Sequence, residues 1–387
     1  MRNVHLTTIS GIPIRLNVSL LVFLPVLVWL IAASGQIELY ASVIDGLTPA
    51  TLDPAPLQEG LNPWLIGVAG ALGLFFSVAV HELGHAYAAR RYDIATESIT
   101  LWIFGGLAAL ESMPREWDRE FWIAVAGPIT SVLLGVAFVG LLQVVPSGLS
   151  VVVFVVGWLA VINVVLAIFN MLPAFPMDGG RVLRALLARN GSYASATRVA
   201  ARIGTIFALL FGVVGILSWN PVLVLVALFV YAAATTESRT VLLDELLSGV
   251  TAADVMDSRV RSISADASVA EFTDRMFRER RTEYVVVDGE EIVGLVTLAD
   301  VKRADREVAE STRVREFAAT DVSTVEPTTT AFDVLVAMGR APLVVVVDGD
   351  EPVGTVSRRD LGSVMQLRRE LGVPAPVEPE PVAIAGK

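Results

Sequence analysis

Cysteine is absent from all 387 residues, histidine occurs three times, and lysine stands only at Lys302 and Lys387. Without cysteine the chain has no disulfide, no thiolate metal site and no cysteine nucleophile. The scarcity of lysine beside an excess of acids fits a high-salt cytosol. At a net charge of −11 the chain also lacks the basic excess of a nucleic-acid-binding surface, so no nucleic-acid partner is expected.

Charge of either sign is scarce in one part of the chain and plentiful in the other. Residues 1–236 carry 12 acids and 11 Lys or Arg, whereas residues 237–387 carry 28 and 18, which places −10 of the −11 in the second part. Hydrophobic residues make up 54% of the sequence, and the mean hydropathy of +0.64 is well above that of a soluble globular chain. That excess lies between Asn17 and Ala234.

Six apolar stretches, at 17–33, 63–89, 119–144, 150–172, 196–218 and 221–236, are candidates to cross a hydrocarbon core of about 30 Å as helices, the last being the shortest. The first is also compatible with a signal peptide, since Arg2 and Arg15 precede it and "IAASG" follows. Basic residues alternate strictly between connections. Arg2 and Arg15 precede the first span, Arg90, Arg91 and Arg115 follow the second, and Arg181, Arg184 and Arg189 follow the fourth; the connections at 34–62, 145–149 and 218–220 have none. This pattern predicts a multi-pass protein of the cell membrane with its amino terminus and its charged carboxy-terminal region in the cytoplasm.

Two of the three histidines fall within "VAVHELGHAYAARRY", residues 78–92, at the end of the second stretch. His81 and His85 are one helical turn apart and stack on one face, as a shared metal demands. Glu82 lies about 100° around the helix, able to reach a metal-bound water without being a ligand. Snorkelling of polar side chains at a helix end is the plain alternative. It does not account for Glu82, because an ionisable group inside an apolar span costs about 2.5–3.5 kcal/mol and marks function by default.

A catalytic zinc takes three protein ligands and keeps one position open. His5 precedes the first span and reads as a surface residue; Asp178, in "FNMLPAFPMDGGR" at 169–181, is the better third ligand. Its plain alternative is a turn, since Pro-x-x-Pro and Asp-Gly-Gly favour loops. The second and fourth spans both run inward, which places Asp178 at the depth of the histidines. Pro173 and Pro176 break the helix there, and broken backbone at membrane depth requires burial in protein or a watery cavity.

These residues resemble those of the site-2 proteases, zinc metalloproteases that cut substrates within or near the membrane. The resemblance rests on "HELGH" and on "NMLPAFPMDGG", which is similar to that family's N-x-x-P-x-x-P-x-D-G-G pattern. Weaker pieces are "ISGIPIRLNVSLL" (9–21), "ITLWIFGGLAALE" (99–111) and "AGPITS" (126–131). The resemblance implies zinc on His81, His85 and Asp178, Glu82 as general base, and Asn170 orienting the substrate or stabilising the oxyanion. Asn170 also reads as a helix-terminal residue satisfying backbone groups. Alternating Ile99, Leu101 and Ile103 before Gly105–Gly106 suggest a strand, either pairing with an extended substrate or packing as a structural hairpin.

The carboxy-terminal part repeats itself. "VRSISADASVAEFTDRM" (260–276) and "YVVVDGEEIVGLVTLADV" (284–301) recur as "VSTVEPTTTAFDVLVAM" (322–338) and "VVVVDGDEPVGTVSRRDL" (344–361), at offsets of 62 and 60. Each unit reads as a turn, a helix, two β-branched strands joined by Asp-Gly, and a second helix. This resembles a pair of CBS domains, modules that often bind adenine nucleotides (ATP, ADP or AMP) between their halves. Gly294, Thr297 and Asp300, and again Gly354, Ser357 and Asp360, match the family's Gly-x-x-Thr/Ser-x-x-Asp pattern. The resemblance implies that the hydroxyl contacts phosphate and the Asp contacts ribose; ordinary helix capping is the alternative for these residues, and homodimerisation the alternative for the module.

The expected fold is therefore a polytopic α-helical membrane domain with six transmembrane helices over 1–236, then a soluble α/β CBS-domain pair. A linker is expected at 237–250, the repeats at 251–308 and 309–370, and a disordered Pro- and Glu-rich tail at 371–387. The expected function is intramembrane peptide-bond hydrolysis of a transmembrane protein substrate, tuned by the CBS pair. A metal-binding receptor or scaffold is the alternative, against which stands the intact Glu82. A transporter calls for polar residues along several spans, and these are nearly absent outside the proposed site.

Overall fold

A computed structural model describes residues 3–33, 36–48, 52–111, 114–289, 291–303, 312–320, 322–339, 341–349 and 351–371. The expected tail lies almost wholly outside them. The chain divides into two compact units, Met1–Arg239 and Thr240–Lys387.

In the first unit, β1 (Asn3–Ile9) and β2 (Ile12–Asn17) lead into helices α1 (Val18–Ala33), α2 (Gln36–Asp45) and α3 (Asn62–Arg90). Strands β3 (Thr96–Trp102) and β4 (Gly105–Leu110) follow, then helices α4 (Trp117–Leu142), α5 (Ser150–Asn170), α6 (Asp178–Ala188), α7 (Tyr193–Leu217) and α8 (Pro221–Leu247), whose residues after Arg239 belong to the second unit. Among the described residues five helices, α3, α4, α5, α7 and α8, are long and apolar enough to cross a membrane, and the number is six if α1 and α2 form one broken span. The first expected span corresponds to the 16-residue α1, which holds Pro25 within it.

The strands form one sheet in the order β1-β2-β3-β4, with β2 and β3 parallel and the outer pairs antiparallel. The β1–β2 turn is Ser10–Gly11, with φ of 52° and 86°, the two left-handed positions of a tight hairpin. Ile99 and Leu101 on β3 are buried, whereas Ile103, expected on the strand, lies in the turn. The tip of that turn is pinned by a ring cluster, with Phe104 stacked on Phe229 of α8 at 4.4 Å. Small residues let the helices approach closely. A Cβ on Gly84 of α3 would lie 2.9 Å from the Ala126 carbonyl of α4, and one on Gly67 would crowd the Val28 carbonyl of α1.

Residues 237–250, the expected linker, are helical over most of their length, because α8 continues to Leu247. "TTESRTVLLDELL" holds no glycine or proline, so nothing stops the helix before Gly249, at φ 67°.

The second unit contains α9 (Ala252–Val255), β5 (Ser262–Ser264), α10 (Val269–Glu279), β6 (Glu283–Asp288), β7 (Glu291–Thr297) and α11 (Leu298–Arg303). After a 3-10 turn at Val314–Glu316 come β8 (Thr324–Val325), α12 (Ala331–Met338), β9 (Leu343–Asp348), β10 (Glu351–Ser357) and α13 (Arg358–Leu371). Each half has a three-stranded sheet, β5-β6-β7 and β10-β9-β8, with its Asp-Gly hairpin turned by Gly289 at φ 66° or Gly349 at φ 64°. Helices α10 and α12 begin at capping hydroxyls, Ser268 and Thr330.

The halves exchange their leading turns. Ala252 and Val255 of α9 pack with Val334, Val344 and Val356 of the second repeat, while Val314 packs with Phe272, Val286 and Val296 of the first. Sequence periodicity reads chain order, and so it assigns each leading turn to the repeat that follows it.

Candidate metal centre

The site is organised around one face of α4. Glu120, Ile123, Gly127 and Ser131 are all buried there, spaced so that they fall on one side of a helix. His81 and His85 of α3 are 3% and 4% exposed, and Asp178, the first residue of α6, is 9% exposed. The position suits a carboxylate, because the amino-terminal end of a helix favours negative charge.

Three atoms converge. His81 Nε2 lies 3.1 Å from Asp178 Oδ2, His85 Nε2 lies 3.2 Å from the same oxygen, and the two Nε2 atoms are 3.2 Å apart. His85 Nδ1 donates to the Ile123 carbonyl at 2.7 Å, which in the neutral ring leaves Nε2 as a lone pair. His81 Nδ1 is 2.9 Å from Ser131 Oγ. Both rings are therefore oriented through their outer nitrogens, as in metal sites.

The residues fit an ion. Bonds of about 2.0–2.1 Å in a tetrahedron place ligand atoms about 3.3 Å apart, close to the observed spacings. Gly127 leaves the space beside them open: a Cβ there would come within 2.6 Å of His81 Nε2 and nearer still to His85 Nε2. His81, His85 and Asp178 are the one group of this composition found among the described residues.

Glu82 points elsewhere on the same helix. Its carboxylate accepts from the Ala108 N–H of β4 at 3.2 Å, and Gly106 makes room for it, since a Cβ there would overlap its side chain. Gly179 and Gly180 pack against the backbone of Met171–Ala174, which seats Asp178 after the expected turn. Asn170 ends α5, half-buried, and its side chain makes no hydrogen bond among the described residues. His5 is exposed on β1, 3.1 Å from Thr8 Oγ1, away from the cluster.

Within "AGPITS" no sequence pattern points to a role for Gly127 or Ser131, and Ser77 and Asn163 lie outside every motif. Asn163, fully buried on α5, donates to Ser77 Oγ at 2.9 Å, one turn before His81. A polar residue inside an apolar span was the available signal.

In the second unit Thr297 donates its N–H and hydroxyl to Asp300 at 2.8 and 2.7 Å, and Ser357 does the same to Asp360 at 2.8 and 2.6 Å. Both pairs thus make the capping contacts expected as the alternative. Ser357 and Asp360 also line a cavity of about 340 Å³ together with Arg261, Arg281 and Arg359. Burial raises the Glu283 carboxyl in its wall, with the Arg359 charge opposing.

The sequence profile of Peptidase family M50 matches residues 69–149 and 147–211, and that of the CBS domain matches 252–307 and 314–365. The chain is 31% identical over 377 residues to the zinc metalloprotease MJ0392 of Methanocaldococcus jannaschii, covering 95% of this chain and 98% of that one. It is 32% identical over 391 aligned positions to Rip3 of Mycobacterium tuberculosis, covering 96% and 95%. A solved site-2 protease from Methanocaldococcus jannaschii aligns at 32% identity with a TM-score of 0.43, over 62% of this chain and 96% of that one. Likeness along nearly the whole length of a curated zinc metalloprotease, a matching peptidase profile and apolar helices ahead of two CBS repeats settle the classification: the chain belongs to Peptidase family M50, as a site-2-protease-type zinc metalloprotease with a carboxy-terminal CBS pair.

Proposed function

We propose that the chain hydrolyses peptide bonds of membrane-embedded proteins at a zinc held by His81 Nε2, His85 Nε2 and Asp178 Oδ2. The convergence of those three atoms, at 3.1 to 3.2 Å, carries the reading. Zinc, when bound, supplies a Lewis acid and brings the pKa of a water to about 7. Glu82 takes the proton from the attacking water and passes it to the departing amine. Asn170 orients the substrate, a reading supported by its half-buried side chain, which makes no hydrogen bond among the described residues.

A helical substrate has its carbonyls already hydrogen-bonded and must be unwound before attack. The β4 strand ends its sheet, and no strand covers its outer edge among the described residues. An extended substrate pairs there, beside Glu82. An amino terminus and CBS pair in the cytoplasm are supported by the alternating arginines.

Zinc content tests the ligand set without a known substrate. Purified wild type is expected to hold about one zinc per chain, and Asp178→Ala to lose it during dialysis. A wild type free of zinc, handled without chelators, overturns the reading.

The arginine-lined cavity of the CBS pair binds an adenine nucleotide, with Ser357 on phosphate and Asp360 on ribose, and thereby tunes proteolysis. Calorimetric titration of the full chain with ATP, ADP and AMP is expected to give one-site binding. Asp360→Ala should weaken it by about 10- to 100-fold, the worth of a hydrogen bond to a charged group. No heat with any of the three leaves Asp360 as a helix cap alone.

A further inference from the structure

Arg184 is a fully buried arginine at 0% exposure, six positions after Asp178 on α6. Its Nε donates to Glu120 Oε1 of α4 at 2.7 Å, and its Nη1 donates to Glu237 Oε1 of α8 at 2.7 Å. The guanidinium is flanked by the Phe175 ring at 4.8 Å and the Tyr193 ring at 4.6 Å. One side chain therefore touches four parts of the unit: α4, α8, the start of α7, and the turn that delivers Asp178.

Glu120 lies on the same face of α4 as the Ile123 carbonyl, which orients His85, and as Ser131, which orients His81. Both histidines are thus fixed to α4 through their outer nitrogens. Asp178 arrives on a separate helix, after a turn containing Pro173 and Pro176, and Arg184 ties that helix to the same face. Phe175, pinned under the guanidinium, restrains the turn from the other side.

We propose that Arg184 is the positioning residue for the third metal ligand, and that Glu237 is the point at which α8 acts on it. The inference rests on His81, His85 and Asp178 holding a metal. A buried ion pair is a poor device for stability alone, since well-packed apolar groups often serve as well. It is an effective device for register, because the planar fork donates to carboxylates in few directions. Glu120 is 3% exposed on its side chain, whereas Glu237 is 35% exposed. The α8 partner is accordingly the one that can be exchanged for solvent. A shift of α8 changes the second contact of Arg184 while the first holds, and so alters the seating of Asp178.

The test uses the full chain in detergent, loaded with zinc and, separately, with cobalt. Arg184→Lys keeps the charge and loses the fork; it is expected to lower zinc affinity, measured against a competing chelator, by about 10- to 100-fold, the usual effect of losing an outer-shell support. Its cobalt absorption spectrum should shift, which a merely structural role would not produce. Glu237→Gln should lower affinity by several-fold with a smaller spectral change. Unaltered affinity and spectrum in folded Arg184→Lys overturn the proposal; if that variant does not fold, the same result in Glu237→Gln does so. Wild type without zinc would instead refute the metal site itself, so the two failures are distinct.

Discussion

Glu82→Gln is expected to retain its zinc and to lose cleavage of a transmembrane test substrate by about 1,000-fold or more, within the range for removal of a general base. The amide keeps size and can accept at its oxygen, so the Ala108 N–H that meets Glu82 Oε2 at 3.2 Å retains a partner. What is lost is the basic oxygen. Activity is read on a substrate whose span carries helix-breaking residues, with product fragments identified by mass. Cleavage at the wild-type rate would remove Glu82 from the mechanism and leave the metal assignment standing.

The second large effect comes from a residue with no side chain. Gly127→Ala would put a Cβ within 2.6 Å of His81 Nε2 and closer to His85 Nε2, in the space where the three ligand atoms meet. Helix α4 favours alanine locally by about 1 kcal/mol, so its helicity should survive. Zinc affinity is expected to fall by more than about 100-fold, beyond the usual loss from an altered outer shell. Gly140→Ala is the control on the same helix, since its Cβ would meet nothing within 4 Å, and it should bind zinc like wild type. Equal zinc binding by Gly127→Ala would mean that the ligands close elsewhere.

Much of the architecture was legible because the membrane imposes coarse rules. Long apolar stretches, alternating arginines and a histidine pair one turn apart are each carried by neighbouring residues. The repeats were legible for the same reason, through Asp-Gly turns between β-branched strands. The β1–β2 hairpin was not, because every residue of β1 is exposed and its apolar and polar positions follow no buried face. Helix α2 was not legible either, because it lies in a connection read only for its lack of basic residues. Arg184 looked like one more cytoplasmic arginine; its partners Glu120 and Glu237 are 64 and 53 positions away, a separation that no local pattern reports. Gly127 was invisible for a simpler cause: a residue that acts by leaving space has no chemistry to read.

The exchange of leading turns between the CBS halves has a bearing on how the module changes over time. Neither repeat is a cassette that can be cut out at its sequence border. Ending the chain at residue 308 would take Val314 away from Phe272 and Tyr284, and would also strand Ala252 and Val255 without Val334 and Val344. Duplication, loss or grafting therefore has to move both halves together. A chain that keeps one half must refill a core whose missing wall was supplied by the other.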